Sequence, residues 1–276
     1  MGTSARERFR IEPGSRVDLA AIDPRSTSEV GDREEAGSAV RDIHDRVDDL
    51  QLRLYAEQRR ALLVVLQGMD TSGKDGAIRH AFAGLSPSGT RVTAFRAPTP
   101  EELEHHFLWR IRRALPMTGQ IGIFNRSHYE DVVVVRVKDL VPREVWSARY
   151  GEINAFEREL LEEGSVSVLK VFLHISRDEQ RERLLARLDD PRKRWKFNPS
   201  DLEDRARWEE FQLAYQDALE RCSTAIAPWH VVPADRKWHR DWAVASLLVE
   251  TLEAMDPRFP EPKFDVEEMR RRLQED

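Results

Sequence analysis

The stretch that decides the fold is "LQGMDTSGKDG", residues 66–76. It has the glycine and lysine spacing of a phosphate-binding loop, which runs here from Gly68 to Gly73 and Lys74. An apolar, strand-like run precedes the loop, and a helical stretch, "GAIRHAFAGL", follows it. In a strand, loop and helix of this order, backbone N–H groups and the helix N-terminus converge on an anion. The stretch therefore predicts an α/β protein that binds phosphate.

Two aspartates make this loop unusual. Asp75 stands where the motif has serine or threonine, and Asp70 lies inside the loop. A carboxylate beside bound phosphates repels them unless a cation lies between, so Asp70 is the candidate magnesium ligand. Asp75 has two interpretations, a cap of the helix N-terminus or an indirect partner of the metal. The positively charged side chain of Lys74 would contact the transferred phosphate, and Gly76 would let the backbone approach that phosphate closely.

The rest of the chain alternates strand and helix signals. Five short apolar runs are typical of buried strands, and helical segments separate them. That order predicts a doubly wound parallel sheet. The predicted strands cover residues 61–66, 91–95, 121–124, 166–175 and 229–232. Capping-box patterns predict helix starts at Thr99, Ser176 and Ser200.

We predict one α/β domain with two appendages. Residues 1–39 are polar and irregular, which indicates an extended N-terminal arm without a core of its own. From Val40, apolar residues at 3- and 4-residue spacing mark one stripe of a helix. We interpret that stripe as packed on the core, with a subunit interface as the alternative. The domain would cover residues 40–256, and the proline-spaced residues 257–276 would form a surface tail.

Composition restricts the function further. The chain has 276 residues, 40% hydrophobic and 34% charged, which is enough to bury a sizeable core. A net charge of -6 argues against a general nucleic-acid binder, because affinity for a phosphate backbone needs a basic face. No apolar run approaches the ~18 residues of a membrane span, and the start has no signal-peptide pattern. The only cysteine, Cys222, cannot form an internal disulfide, and we expect a soluble cytoplasmic protein.

A second motif, "GIFNRSHYEDV", ends the third predicted strand. Many phosphate-loop enzymes carry an aspartate for the metal here, whereas this chain carries the neutral Asn125. Arg126 follows it, beside the predicted phosphate loop, where a cation can stabilise charge on a transferring phosphoryl group. The alternative for Arg126 is a surface ion pair with Glu130 or Asp131.

A third motif, "RLDDPRKRWKFNPSDLEDRARW" at residues 187–208, follows the fourth strand and its helix. It contains a compact cationic cluster, which consists of Arg192, Lys193, Arg194 and Lys196. One interpretation is a solvated charge run between two helices. We favour the other, a lid that closes over phosphates, because nucleoside monophosphate kinases carry a lid at this place in the chain.

The three stretches "GMDTSGKDG", "FNRSHYEDV" and "DDPRKRWKFNPSD", in this order, resemble the signatures of the polyphosphate kinase type 2 family. Asn125 is similar to the class III branch of that family. The resemblance extends from about residue 8 to residue 255. It implies a thymidylate-kinase-like core, a basic lid, and Mg²⁺, for which Mn²⁺ substitutes. It also implies phosphate transfer from inorganic polyphosphate to AMP or ADP, and a homo-oligomer, either a dimer or a tetramer.

By position, the resemblance places the loop role on Asp70, Gly73 and Lys74, the strand-end role on Asn125 and Arg126, and polyphosphate contact on Lys193, Arg194 and Lys196. Together with the motifs themselves, it gives the following predicted site. Asp70, Lys74 and Arg126 would be catalytic, with Asp70 as the metal ligand. The phosphate- and nucleotide-binding residues would be Gly68, Gly73, Lys74, Asp75, Gly76, Asn125 and Ser127. Polyphosphate would contact Arg192, Lys193, Arg194 and Lys196. Two other functions remain open at this point: an ATP-dependent nucleoside monophosphate kinase on the same fold, and a nucleotide or phosphate sensor without turnover.

Overall fold

The computed structural model describes residues 3–162 and 165–275. Its centre is a sheet of five parallel strands, as the sequence predicts, and the strand order is β2-β3-β1-β4-β5. The strands are β1 Ala61–Gln67, β2 Thr90–Ala94, β3 Ile121–Asn125, β4 Val166–His174 and β5 Trp229–Pro233. Every residue of β1 is buried, because the strand lies at the centre of the sheet and helices cover both faces.

Twelve α-helices lie among the described residues. They are α1 Ala5–Arg8, α2 Arg33–Glu57, α3 Lys74–His80, α4 Pro100–Leu103, α5 Trp109–Ala114, α6 Glu130–Val137, α7 Arg143–Glu162, α8 Arg177–Asp189, α9 Ser200–Ala206, α10 Trp208–Cys222, α11 Lys237–Met255 and α12 Val266–Glu275. None of them is both long and apolar enough to cross a membrane. Because all five strands are parallel, their carboxyl ends lie at the same end of the sheet, where ligands of such folds bind.

Helix α2 begins earlier than predicted. Its first residue is Arg33, whereas the apolar stripe indicated a start near Val40. Asp32 caps the helix by accepting the N–H groups of Glu34 and Glu35 at 2.8 and 2.9 Å, a capping signal that the apolar pattern does not contain. The predicted stripe is buried and α2 packs against α11, so the core interpretation of the stripe is correct. The stripe residues buried in α2 are Ile43, Val47, Leu50 and Leu54.

The N-terminal arm lies along the edge of the sheet. Arg10 forms an antiparallel bridge with His230 of β5, and the Ile11 N–H donates to the Trp229 carbonyl at 2.8 Å. On the other side of the bridge, the Val231 N–H donates to the Phe9 carbonyl at 2.8 Å. These bonds satisfy backbone groups of an edge strand that would otherwise be open to pairing with another chain.

The predicted surface tail contains a helix that the proline spacing did not indicate. Helix α12, Val266–Glu275, has no buried residue and carries acidic residues in its first turn and a basic residue in its last. Both placements complement the helix dipole, which gives a local reason for helix formation in an exposed segment.

Two of the three predicted helix starts have the predicted N-cap side chain, and one of them forms the complete capping box. The Thr99 hydroxyl accepts the Glu102 N–H at 3.2 Å, and the Glu102 carboxylate accepts the Thr99 N–H at 2.9 Å, which completes the capping box. Ser176 likewise accepts the Glu179 N–H at 3.1 Å. The Ser176 N–H, however, donates to Asp235 at 2.8 Å, so this start has one half of the predicted box.

The predicted capping box at Ser200 is wrong. Ser200 is the first residue of α9 itself, and Pro199 occupies the N-cap position. The Ser200 N–H donates to the Asn198 side-chain oxygen at 3.1 Å, so Asn198 satisfies a free N–H group at this helix end. The predicted start of α9 is therefore one residue late.

Candidate active site

The phosphate loop follows β1 and leads into α3. Gly68 and Gly73 have φ of +148° and +104°, a region that other residues rarely adopt. A Cβ atom at Gly68 would lie 2.7 Å from the Leu173 carbonyl oxygen, and one at Gly73 would lie 2.0 Å from Nη1 of Arg240. Gly68 is therefore required by conformation and by space, whereas Gly73 is required by conformation and keeps room for the Arg240 guanidinium.

Lys74 is the first residue of α3, and its side chain is buried in the loop. Its Nζ donates to the Gly68 carbonyl at 2.6 Å and to the Met69 carbonyl at 3.2 Å. Burial, followed by the neighbouring positive charge of Arg126, lowers the pKa of Lys74 to about 8. The ammonium group thus points into the loop, and its contact with phosphate stays a prediction.

Arg126, directly after β3, faces the phosphate loop. Its Nη2 lies 2.6 Å from Oδ1 of Asp70, and its Nη1 lies 3.3 Å from Oε2 of Glu130. The charge of Glu130, and after it that of Asp70, raises the pKa of Arg126 above its ordinary value. The predicted ion pair with Glu130 is therefore present, but Arg126 also contacts the loop. Asp131 instead pairs with Arg149, at 3.1 Å.

Asp75 connects three parts of the site. Its Oδ1 accepts a hydrogen bond from Nδ2 of Asn125 at 2.7 Å, and its Oδ2 lies 3.9 Å from Nζ of Lys196. Gly73 is the N-cap of α3, and this helix has no side-chain cap. Asp75 lies in the first turn of α3, where its charge complements the helix dipole, but its carboxylate turns towards the end of β3 and the predicted lid. The role of indirect metal partner stays a prediction.

Ser127 lies beneath the end of β3. Its hydroxyl is fully buried, accepts the Gln67 side-chain amide at 3.2 Å and accepts the Tyr129 N–H at 3.3 Å. These bonds hold the turn that presents Asn125 and Arg126. A direct contact between Ser127 and nucleotide stays a prediction.

The predicted lid, residues 187–208, contains a short 3₁₀ helix, Arg194–Lys196, and the following helix α9. Arg192 and Lys193 pair with Asp190 at 3.1 and 3.0 Å, and hydrogen bonds from both lower the pKa of Asp190 to about 2. Lys196 is the member of the cationic cluster that reaches α3. Its neighbour Trp195 is 77% exposed.

Three residues that the sequence did not single out also belong to this region. Nε2 of Gln180 donates to the backbone carbonyl of Asp70 at 3.2 Å, and Nη1 of Arg187 lies 3.3 Å from Oδ2 of Asp201. Burial raises the pKa of Asp201, and the charge of Asp70 adds to the effect. Asp201 lies within the stretch predicted as a capping box but is neither of its two partners, so the sequence contained no signal for it.

The residues present fit a magnesium ion beside the phosphate loop. Asp70 offers carboxylate oxygens, which suit a hard cation, and 20% of its side chain is exposed. Across residues 3–162 and 165–275, no group of three or more His, Cys, Asp or Glu side chains could hold a metal. Water and substrate phosphate oxygens would therefore supply the other ligands, as is usual for Mg²⁺.

A phosphate loop after β1, an arginine at the end of β3 and a basic segment after β4 define a phosphate-loop kinase of the α/β class. The chain matches the polyphosphate kinase 2 (PPK2) family over residues 31–260. It therefore belongs to that family, and the predicted family, fold and enzyme class, a phosphotransferase, are confirmed.

Similar proteins extend over nearly the whole chain. The AMP/ADP-polyphosphate phosphotransferase of Meiothermus ruber is 50% identical over 258 residues, which cover 93% of this chain and 96% of that protein. The ADP-polyphosphate phosphotransferase of Rhodopseudomonas palustris is 40% identical over 267 residues, 92% of each chain. The crystal structure of polyphosphate kinase 2 from Arthrobacter aurescens has a TM-score of 0.95 at 42% identity and covers 99% of this chain and 98% of its own.

Proposed function

We propose that this chain transfers the terminal phosphate of inorganic polyphosphate to AMP and ADP in the presence of Mg²⁺. The observation that carries the proposal is the meeting of three distant motifs at one loop: Lys74 lies within the loop, Arg126 contacts Asp70, and Lys196 reaches Asp75. The names of the similar proteins from Meiothermus ruber and Rhodopseudomonas palustris support these substrates.

The proposed reaction needs little covalent help from the protein. A phosphate oxygen of AMP or ADP, already anionic, attacks the terminal phosphorus of the chain, and the bond to the next bridging oxygen breaks. The shortened polyphosphate keeps that oxygen. Lys74 and Arg126 would stabilise the negative charge on the transferring group. A bound Mg²⁺, held by Asp70, would neutralise charge on the phosphates, and Mn²⁺ would serve the same purpose.

The polyphosphate donor gives a reason for the cationic cluster in the predicted lid. Polyphosphate carries about one negative charge per unit, so a long donor needs more cations than the phosphate loop supplies. We assign its binding to Arg192, Lys193, Arg194 and Lys196. We assign the terminal phosphate of the donor and the phosphates of the nucleotide to the loop and to the end of β3, where Gly68, Gly73, Lys74, Asp75, Gly76, Asn125 and Ser127 lie.

The decisive experiment omits ATP. Purified protein is incubated with Mg²⁺ and polyphosphate, and with AMP or ADP as separate acceptors, and the nucleotides are followed by chromatography. We expect ADP and ATP over many turnovers. Folded protein that binds nucleotide but forms no product from polyphosphate would favour the sensor, and activity that appears only with ATP would favour an ATP-dependent kinase. Use of both acceptors is what the predicted class III branch implies.

We also propose the remaining properties that the family resemblance implies. The chain would act in the cytoplasm as a dimer or tetramer, and light scattering coupled to size exclusion measures the mass of the assembly. The division into an arm, a kinase-like domain and a tail predicts that removal of residues 257–276 leaves activity unchanged.

A further inference from the structure

Arg183 lies behind the phosphate loop, and no motif in the sequence singled it out. It belongs to α8, and 9% of its side chain is exposed. A guanidinium group has five N–H donors in a fixed fork, and the acceptors around Arg183 number five as well. They are Oε1 of Glu179 at 2.7 Å from Nε, the carbonyls of Thr71 and Ser72 at 2.9 and 3.0 Å from Nη1, and the carbonyls of Ala234 and Asp235 at 2.7 and 3.0 Å from Nη2.

The two loop carbonyls matter because they orient the peptide groups of the cradle. The structure has no cis peptide bond among the described residues, and in a planar trans peptide the C=O and the N–H point in opposite directions. Since the Ser72 carbonyl points at Arg183, the N–H of Gly73 points away from this arginine. Arg183 therefore turns the N–H of Gly73, the N-cap of α3, to the opposite side of the loop, where an anion would bind.

The loop conformation also needs support. Thr71 has a φ of +64°, an unusual backbone conformation for a β-branched residue. Such strained residues persist when surrounding contacts hold them in place, and they concentrate at functional sites. The bond from Arg183 to the Thr71 carbonyl is a contact of this kind.

A second guanidinium closes the space under the same loop. Arg240 of α11 is 3% exposed and pairs with Asp241. A Cβ atom at Gly73 or at Gly76 would overlap a terminal nitrogen of Arg240, so a side chain at either position would have to displace this guanidinium. Arg240 thus packs against the loop, and Arg183 donates hydrogen bonds to it.

We propose that Arg183 is the positioning residue of the phosphate loop, which it fixes to the segment after β5 and to α8, the helix that leads into the lid. The loop and the base of the lid are then one rigid unit, on which the cationic cluster can move towards bound phosphate. The kinetic part of this proposal rests on the function proposed above, whereas the binding part does not.

The test compares Arg183→Lys and Arg183→Gln with Arg181→Gln. Arg181 lies on the same helix, is 57% exposed and pairs with Asp178, which makes it a matched control. The lysine keeps the charge but cannot reproduce the fork. We expect both Arg183 variants to lose about 10- to 100-fold in kcat, because small displacements of catalytic groups have effects of this size. Acceptor KM should change less than kcat, and Arg181→Gln should match the wild type.

A binding measurement separates this proposal from the proposed function. Calorimetry with inorganic tripolyphosphate and Mg²⁺ requires no turnover, and we expect weaker binding in both Arg183 variants and unchanged binding in Arg181→Gln. A wild type without polyphosphate activity would overturn the proposed function and leave this comparison intact. Full kcat and full tripolyphosphate affinity in Arg183→Lys would overturn the positioning role. A variant that loses only thermal stability would also overturn the positioning role, if its kcat and its tripolyphosphate affinity are unchanged well below the melting temperature.

A milder substitution keeps the proposal testable if the Arg183 variants do not fold. Glu179→Ala removes the carboxylate that orients Nε of Arg183 and leaves the four carbonyl acceptors in place. The Glu179 side chain is 22% exposed, so its removal creates no large buried cavity. We expect a smaller loss of kcat and of tripolyphosphate affinity than in the Arg183 variants. Wild-type values for both would overturn the proposal.

Discussion

Asp70 and Arg126 are joined by a 2.6 Å contact between Oδ1 and Nη2, which links the phosphate loop to the end of β3. Glu130 holds the other terminal nitrogen of the same guanidinium. Both terminal nitrogens of Arg126, the arginine proposed to contact the transferring phosphate, therefore contact carboxylates. For Asp70 to serve a metal ion with this oxygen, the guanidinium must be released to the phosphate, so binding of metal and substrate should be coupled at this pair.

Asp70→Asn tests the metal role of the loop carboxylate. The amide loses the negative charge that a hard cation requires, so kcat should fall and the Mg²⁺ concentration for half-maximal activity should rise. Activity should partly return as Mg²⁺ is raised. Glu130→Gln is the control, because it removes the other partner of Arg126 and should leave the Mg²⁺ requirement unchanged. An unaltered Mg²⁺ titration in Asp70→Asn would contradict the metal role.

Lys74→Ala should lower kcat about 10²- to 10³-fold, the usual effect of removing one group that stabilises transition-state charge. The fold should survive, because burial disfavours the Lys74 charge and its removal relieves that penalty. Steady-state kinetics and circular dichroism check the two statements. A decrease in kcat smaller than tenfold, with a native spectrum, would remove Lys74 from the catalytic groups.

Binding of anions should weaken with rising pH because Lys74 has a pKa of about 8. The charged form binds phosphate, so Lys74 is binding-competent below this value and loses its charge as pH rises through it. The affinity for tripolyphosphate should then fall by up to about tenfold per pH unit, by linkage. Lys74→Arg stays charged throughout, so the difference between the two pH profiles removes the titration of the ligand itself. Parallel profiles between pH 6.5 and 9.5 would contradict this assignment.

The sheet and the phosphate loop could be predicted because their signals are local. A fully buried parallel strand is a continuous apolar run, and β1 is one, followed directly by the loop glycines. The start of α2 at Arg33 could not be found from the apolar stripe, since its first turns are polar and its cap, Asp32, is a single side chain. The periodicity of a pattern identifies the buried face of a helix, whereas its ends depend on caps.

The supporting contacts of the site were not predictable in the same way. Arg183 looks like any exposed arginine of a charged helix, and its role depends on carbonyls of residues 71, 72, 234 and 235 that only the folded chain brings together. Lys170 is a charged residue within an apolar run. Its ammonium is fully buried, and its partners are Tyr129, which directly precedes α6, Glu157 of α7 and Cys222 of α10. Contacts between residues far apart in sequence leave no periodic signal.

Lys170→Met should destabilise the protein by about 3–5 kcal/mol, since it leaves the buried Glu157 carboxylate without the cation 2.6 Å away. Lys138→Met is the control, because its pair with Asp204 is partly exposed and should contribute less than about 1 kcal/mol. Urea unfolding measures both changes. Similar losses of unfolding free energy in the two variants would contradict the larger cost expected when the buried Glu157 charge loses its partner.

The pH dependence of the Lys170→Met variant provides a second check. In the wild type, where Lys170 and His128 oppose desolvation, the pKa of Glu157 lies below its ordinary value. The stability it contributes is present above pH 4.5 and is lost as pH falls through the folded pKa. Without Lys170, burial should raise the pKa of Glu157, so protonation favours the folded state. The variant should then regain stability between pH 7 and pH 5, and a stability that only decreases over this interval would contradict that reasoning.

Neutralising Lys193, Arg194 and Lys196 together should raise the KM for polyphosphate steeply, because several charge-assisted contacts, each worth about 1.5–3 kcal/mol when well formed, would be lost. Acceptor KM should change less, and the defect should be larger for long chains than for short ones. Added salt should imitate the variant in the wild type, since exposed charges are screened over about 10 Å at ~0.1 M. Alanine at residues 270–272 of α12 removes the same net charge from an exposed helix and should leave both KM values unchanged. If the donor KM of the lid variant stays at the wild-type value, or if the KM values of donor and acceptor rise together, the cluster does not bind polyphosphate.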